Sequence, residues 1–153
     1  VLSDRSGVYG IVRAHMRAKE LGLRLLPGVE LEVREAPASS GLTERRARLV
    51  LLPENGDGYS NMCQLVSLAH TRGDKGEAWA HFDEVCGFAG SLIALSTEPW
   101  VLPLLREAFG ERLRALCVRH LHADEREREV VLRDVAQALG VGCVGGHEVL
   151  YHH

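Results

Sequence analysis

The sequence predicts an α/β fold built on a parallel sheet or barrel. Short apolar segments alternate with amphipathic helical segments along all 153 residues, the pattern of strands joined by crossover helices. Hydrophobic residues make up 46% of the chain, enough for one core of ordinary domain size. Polar and glycine-bearing turns punctuate the segments, and neither a domain boundary nor an internal repeat is visible.

Val1-Leu2 reads as an apolar strand followed by Asp4 and Arg5. "GVYGIVRAHMRAKELG" then places Val8, Ile11, Val12, His15 and Ala18 on one helical face, with Ser6 as a cap and Gly22 as the stop. "LRLLPGVELEV" reads as a strand interrupted at Pro27-Gly28, "EAPASSGLTERR" as a polar loop, and "ARLVLLP" as an apolar strand. "GYSNMCQLVSLAH" is helical, with Tyr59, Met62, Cys63 and Val66 on one face, after turns at Asn55-Gly56 and Asp57-Gly58. Gly73 ends that segment in a loop, and "AHFDEVCGFAG" is a short helix or irregular turn. "SLIALS" is a buried strand, and "EPWVLPLLREAFG" a helix with Pro99 near its first turn and Gly110 after it. "RLRALCV" is a strand. In "DEREREVVLRDVAQALG" the pairs Asp124/Arg128 and Glu129/Arg133 suit an exposed helical face, with Val131, Val135 and Leu139 inward. "VGCVGG" is the final strand.

Charge and composition exclude several classes. A net charge of -3 and a pI near 6.3 give no basic excess for gripping nucleic acid alone. No apolar run approaches the ~20 residues of a membrane span, and no charged-then-apolar leader is present. Cys63, Cys86, Cys117 and Cys143 form no CxxC pair and read as reduced thiols of a cytoplasmic protein. A chain that opens on Val1 within a strand and stops at Tyr151-His152-His153 reads as a fragment.

In parallel sheets and barrels, chemistry gathers where strands end. Here the strand ends carry Asp4, Glu30, Ser96 and Thr97, His120, and His147 with Glu148. Carboxylates and imidazoles on one rim are donors for zinc, manganese or iron. Polar residues also collect at strand ends simply because chains turn there. Glu32 follows Glu30 at the same parity, so both also fit a solvent-facing strand side.

Five segments, in order, resemble the PHP domain (polymerase and histidinol phosphatase), in the form found in the alpha subunit of bacterial C-family DNA polymerase III. They are "LSDRSGVYGIVRAHMRAKELGLRLLPGVELEV", "VLLPENGDGYSNMCQLVSLAH" with "KGEAW", "GSLIALS", "VRHLHADE" and "GVGCVGGHEVLYHH". The Asp4-Arg5 pair and "VRH" resemble the error-prone branch most. The resemblance implies a distorted (β/α)7 barrel, here residues 1-153 as a partial domain lacking the first strand and truncated at both ends. It also implies a metal cluster at the rim, from which this chain departs. Arg5 stands where metal-binding members have histidine, and Leu150 where they have another; Glu148 replaces an aspartate. A guanidinium has no lone pair to give a metal. Asp4, Glu30 and His120 still match, and would hold zinc or manganese if a residual site persists.

The rim Asp4, Arg5, Glu30, His120, Glu148 and Leu150 is therefore read as a degenerate metal site. Arg5 stands in for the lost cation, with no catalytic residue and no cofactor in this fragment. The resemblance implies a parent protein that extends DNA by template-directed nucleotidyl transfer with magnesium in a separate palm domain. The partners would be the rest of that chain and, through it, DNA. A metal-dependent phosphoesterase (exonuclease or small phosphatase) and a non-catalytic interaction module are the alternatives. His15 and His70 read as structural histidines, Trp79 and Trp100 as packing residues, and the terminal histidines as native sequence. No phosphate loop, nucleophile elbow or Cys/His triad is present.

Overall fold

A computed structural model describes residues 1–35, 44–72, 76–119 and 125–146. The elements are β1 (Leu2–Arg5), α1 (Ile11–Glu20), β2 (Pro27–Arg34), β3 (Arg46–Pro53), α2 (Gly56–His70), β4 (Trp79–His81), α3 (Phe82–Gly87), β5 (Leu92–Ser96), α4 (Val101–Phe109), β6 (Leu113–Val118), α5 (Glu125–Ala138) and β7 (Gly142–Gly146). The strands form one seven-stranded sheet in the order β1-β2-β3-β5-β6-β7, with β4 beside β2. β1 and β4 share one edge of β2: Leu2–Arg5 lie along residues 27–30, and Trp79–His81 along residues 32–34.

The sheet is mixed rather than parallel throughout. β3 runs antiparallel to both β2 and β5, while β1/β2, β5/β6 and β6/β7 are parallel. Among the described residues no helix lies between β2 and β3, and an antiparallel neighbour needs no crossover.

Period-two alternation separates the two faces of the sheet. Val29, Leu31 and Val33 of β2, Leu49 and Leu51 of β3, Leu92 and Ala94 of β5, and Leu113 and Ala115 of β6 are buried in one core cluster. α2 supplies Met62, Leu65 and Ala69 to it, and α4 supplies Val101, Leu102, Leu105 and Phe109. Each fully buried Leu, Val or Phe of this kind contributes about 1.5–3 kcal/mol of transfer free energy. The other face lines a hollow of about 900 Å³. Residues from both ends of the strand order, Ser3 of β1 and Val144 of β7, line that same hollow, so the sheet curls towards a barrel.

The motif "NGDGYSN" is the start of α2 rather than a turn before it. Asn55 caps the helix by accepting from the Gly58 N–H at 3.0 Å. Gly58 lies so close to the loop before β5 that an added Cβ would stand 2.0 Å from the Ser91 carbonyl oxygen. One turn on, Asn61 Nδ2 donates to the Gly90 carbonyl at 2.9 Å. This motif therefore locks a helix to a strand entry.

Some sequence expectations shift. α1 has no side-chain cap, and Ile11 is its one buried residue, so His15 is exposed rather than packed. α4 begins at Val101 and takes Pro103 into its first turn, where a missing N–H has no helical partner to lose. The inward face of α5 centres on Leu132 and Ala136, with Val135 and Leu139 packed beside them; Val131 is 51% exposed. β4 takes up Ala80-His81, the start of "AHFDEVCGFAG", which reads in sequence as a short helix or irregular turn. "EAPASSGL", the loop at Gly73 and the partner Asp124 fall largely or wholly outside the described residues.

Candidate functional site

The strand ends of the curled face hold the candidate site. β1 runs through Asp4 and Arg5 rather than stopping before them, and Glu30 lies within β2, opposite Arg5 in the parallel register. Arg5 Nε stands 3.1 Å from Glu30 Oε1. Arg48 of β3 approaches the same oxygen with Nη1 at 3.4 Å. Glu30 keeps only 17% of its side-chain exposure, whereas Arg5 keeps 58%. A carboxylate partly withdrawn from water is thus flanked by two guanidinium groups, which offset the cost of burying its charge.

Strand alternation turns Asp4 the other way. It pairs with the buried Val29, and its Oδ2 accepts from the Gly10 N–H at 2.9 Å, at the N-cap of α1. Asp4 fastens the turn that leads into the helix, while Arg5 meets Glu30 on the hollow side. Directly after Arg5, Ser6 adopts a left-handed backbone (φ 54°). Its N–H donates to the Glu30 carbonyl at 2.7 Å, and its own carbonyl accepts from His70 Nε2 at 2.7 Å. His70, the last residue of α2, thereby braces the turn behind Arg5, a structural role.

The charges continue around the rim as a ladder. Arg34 Nε reaches Glu32 Oε1 at 2.7 Å, and Arg46 lies 3.8 Å from the same oxygen and 3.1 Å from Glu44. The sequence signal for Arg46 and Arg48 is their alternation in "RAR": the register sets Arg48 opposite Glu32 and Arg46 opposite Arg34, so each arginine reaches its acid, Glu30 or Glu32, diagonally across the β2/β3 pair. It becomes legible only once β3 is known to run antiparallel. Thr97 and Glu98 line the hollow, whereas Ser96 is buried and accepts from the Glu98 N–H at 3.1 Å as a turn cap.

At the end of β6, Arg119 donates to Glu129 through Nε at 2.7 Å and Nη2 at 3.1 Å. Arg133 reaches the same carboxylate at 2.7 Å from one turn along α5. Hydrogen bonds from these two guanidinium groups hold the Glu129 carboxyl down at about 2. The clamp fixes the residue that precedes His120. Sequence spacing finds the helical Glu129/Arg133 pair but not Arg119, which is distant in the chain. His120, Glu148 and Leu150 lie outside the described residues.

Glu30 is engaged by two arginines, Asp4 faces a backbone N–H, and no three His, Cys, Asp or Glu side chains among the described residues gather to hold an ion. The four cysteines are free; burial pushes the thiols of Cys86 and Cys117 up, away from thiolate chemistry. Trp79 packs under Arg34 at 4.3 Å and edge-on to His81, and Trp100 packs edge-on to Phe82.

Comparison with known families decides the membership: the PHP domain matches residues 1–141. The chain belongs to the PHP domain family. Over 99% of its length this PHP domain is 36% identical to error-prone DNA polymerase of Anaeromyxobacter dehalogenans and 35% identical to that of Ralstonia nicotianae. It is 30% identical to that of Pseudomonas syringae pv. tomato. The chain spans only 14% to 15% of the length of these relatives. In fold it is similar to a crystal structure described as a metal-dependent phosphoesterase, from Bifidobacterium adolescentis. That likeness has a TM-score of 0.59 at 12% identity and covers 94% of this chain and 74% of the other. No helix among the described residues is long and apolar enough to cross a membrane.

Proposed function

We propose that this PHP domain is the supporting domain of an error-prone, C-family DNA polymerase, and that its rim is a metal site converted to an internal ion pair. The parent chain would carry out template-directed nucleotidyl transfer with magnesium held in its own palm domain. The polymerase relatives, aligned over 99% of the chain, support the first part. The observation that carries the second is Arg5 Nε at 3.1 Å from Glu30 Oε1, with Arg48 on the same oxygen. A cation between strand-end carboxylates and a guanidinium among them solve the same problem: each supplies the positive charge that a partly desolvated carboxylate requires. Only the cation can also lower the pKa of a bound water and make a nucleophile of it. On this reading the domain keeps its architecture and gives up hydrolysis.

The polymerase-length gene product tests both parts. Primer extension should require added magnesium, and phosphoester hydrolysis should not follow residues 1–153. Stoichiometric zinc or manganese, lost in a Glu30→Gln variant together with chelator-sensitive phosphoester turnover, would establish the phosphoesterase alternative instead.

A further inference from the structure

α1 is amphipathic, yet much of its apolar surface faces solvent. Val12 and Met16, one turn apart, are 71% and 57% exposed, and Tyr9, one turn earlier, is 78% exposed. Leu21 and Leu23, just past the helix, are 55% and 63% exposed. A surface helix ordinarily turns its apolar stripe to the core, as α4 does with Val101, Leu102, Leu105 and Phe109. A clustered apolar patch of this kind marks an interaction surface.

Charge frames the stripe. At helical spacing Lys19 lies to one side of Val12 and Met16, and Arg13 and Arg17 to the other. Glu20, the acid on this helix, is bound to Arg17 at 2.7 Å. The occupant suited to such a surface is apolar at its centre and acidic at its margins. Its source follows from length. The polymerase relatives match through 99% of this chain, α1 included, but the matched stretch is 14% of the Anaeromyxobacter protein. Most of such a polypeptide lies beyond this domain, and domains of one chain ordinarily share interfaces.

We infer that the Tyr9, Val12 and Met16 face of α1 is the seat for another segment of the polymerase-length chain, a segment outside residues 1–153 with an apolar centre and an acidic rim. The inference rests on the polymerase reading above. A photoreactive benzophenone amino acid, placed in turn at Val12 and at Met16 of the polymerase-length protein, tests it. The expected result is crosslinks within one polypeptide, from either position to peptides outside residues 1–153, with acidic residues flanking the attachment point. Mixing isotopically light and heavy protein separates these from links between two copies. Links between copies, or no protein crosslink from either position with or without lipid vesicles present, overturn the inference. Primer extension by the same preparations reports separately on the polymerase reading. Active polymerase without the intramolecular crosslink removes the docking surface alone, and loss of magnesium-dependent extension in the unsubstituted protein removes the polymerase reading.

Discussion

α2 and α1 show how two helices with apolar periodicity in one chain can meet different fates. α2 buries Met62, Leu65, Val66 and Ala69, caps itself through Asn55, and bonds through Asn61 to the loop before β5. α1 buries Ile11 alone and presents Val12 and Met16 to solvent. Periodicity in a sequence says that a helix has an apolar side. It does not say whether the surface opposite belongs to this domain or to something packed on it. Local devices separate the two cases here: caps and close-approach glycines cluster on the helix that is seated.

Substitutions can break or sharpen that contrast. The largest effect is expected from Met62→Ala, which empties a site with no solvent exposure and should cost about 2–5 kcal/mol in urea unfolding. A cost within the ordinary surface range, about 0.5 kcal/mol either way, would mean that α2 is no better seated than α1. Gly58→Ala comes next, because its Cβ would stand 2.0 Å from the Ser91 carbonyl oxygen and must push helix and loop apart; about 1–3 kcal/mol is expected. A wild-type melting temperature would show that the approach is slack.

Arg5→Ala should lower stability at neutral pH by a measurable amount, about 0.2–1 kcal/mol, since Arg5 is 58% exposed and Arg48 also serves Glu30. Unchanged stability would count against a charge-replacing role. Glu129 offers a pH test of the α5 clamp. Its carboxyl is held down at about 2 by Arg119 and Arg133, so its contribution is complete above the ordinary carboxylate range and fades as pH falls towards 2. Glu129→Gln should flatten that stretch of the acid-unfolding curve, and an identical curve would sink the assignment. Met16→Ala should do least, within about 0.5 kcal/mol either way. A larger loss would place Met16 in the core.

Much of this was readable in the residues, because strands and helices rest on local periodicity. "SLIALS", "RLRALCV" and "VGCVGG" read as strands and are β5, β6 and β7 within a residue or two. The reversal of β3 was not readable, since strand direction depends on what the connecting chain does in space. Nor was the separation of Asp4 from Arg5, which follows from a strand running through both rather than stopping before them. The family pattern led to the expectation of Arg5 beside both Asp4 and Glu30; Arg5 lies by Glu30, while Asp4 is bound to the Gly10 N–H, and Arg48 and Arg119 were not in that expectation. Each meets its carboxylate through tertiary pairing alone, at sequence separations of 18 for Arg48 and Glu30 and 10 for Arg119 and Glu129.

The antiparallel pairing of β2 with β3 also bears on the order in which the chain assembles. Every other pairing in the sheet has at least one helix between its strands, so the β2/β3 ribbon forms across the smallest stretch of polypeptide. Closing a short loop costs less entropy than closing a long one, which favours this ribbon as the earliest long-lived structure. Leu31 and Leu49 face each other across it, both without solvent exposure. Truncating either should slow refolding more than it hastens unfolding, whereas trimming Leu116 of β6 or Val144 of β7 should mainly hasten unfolding.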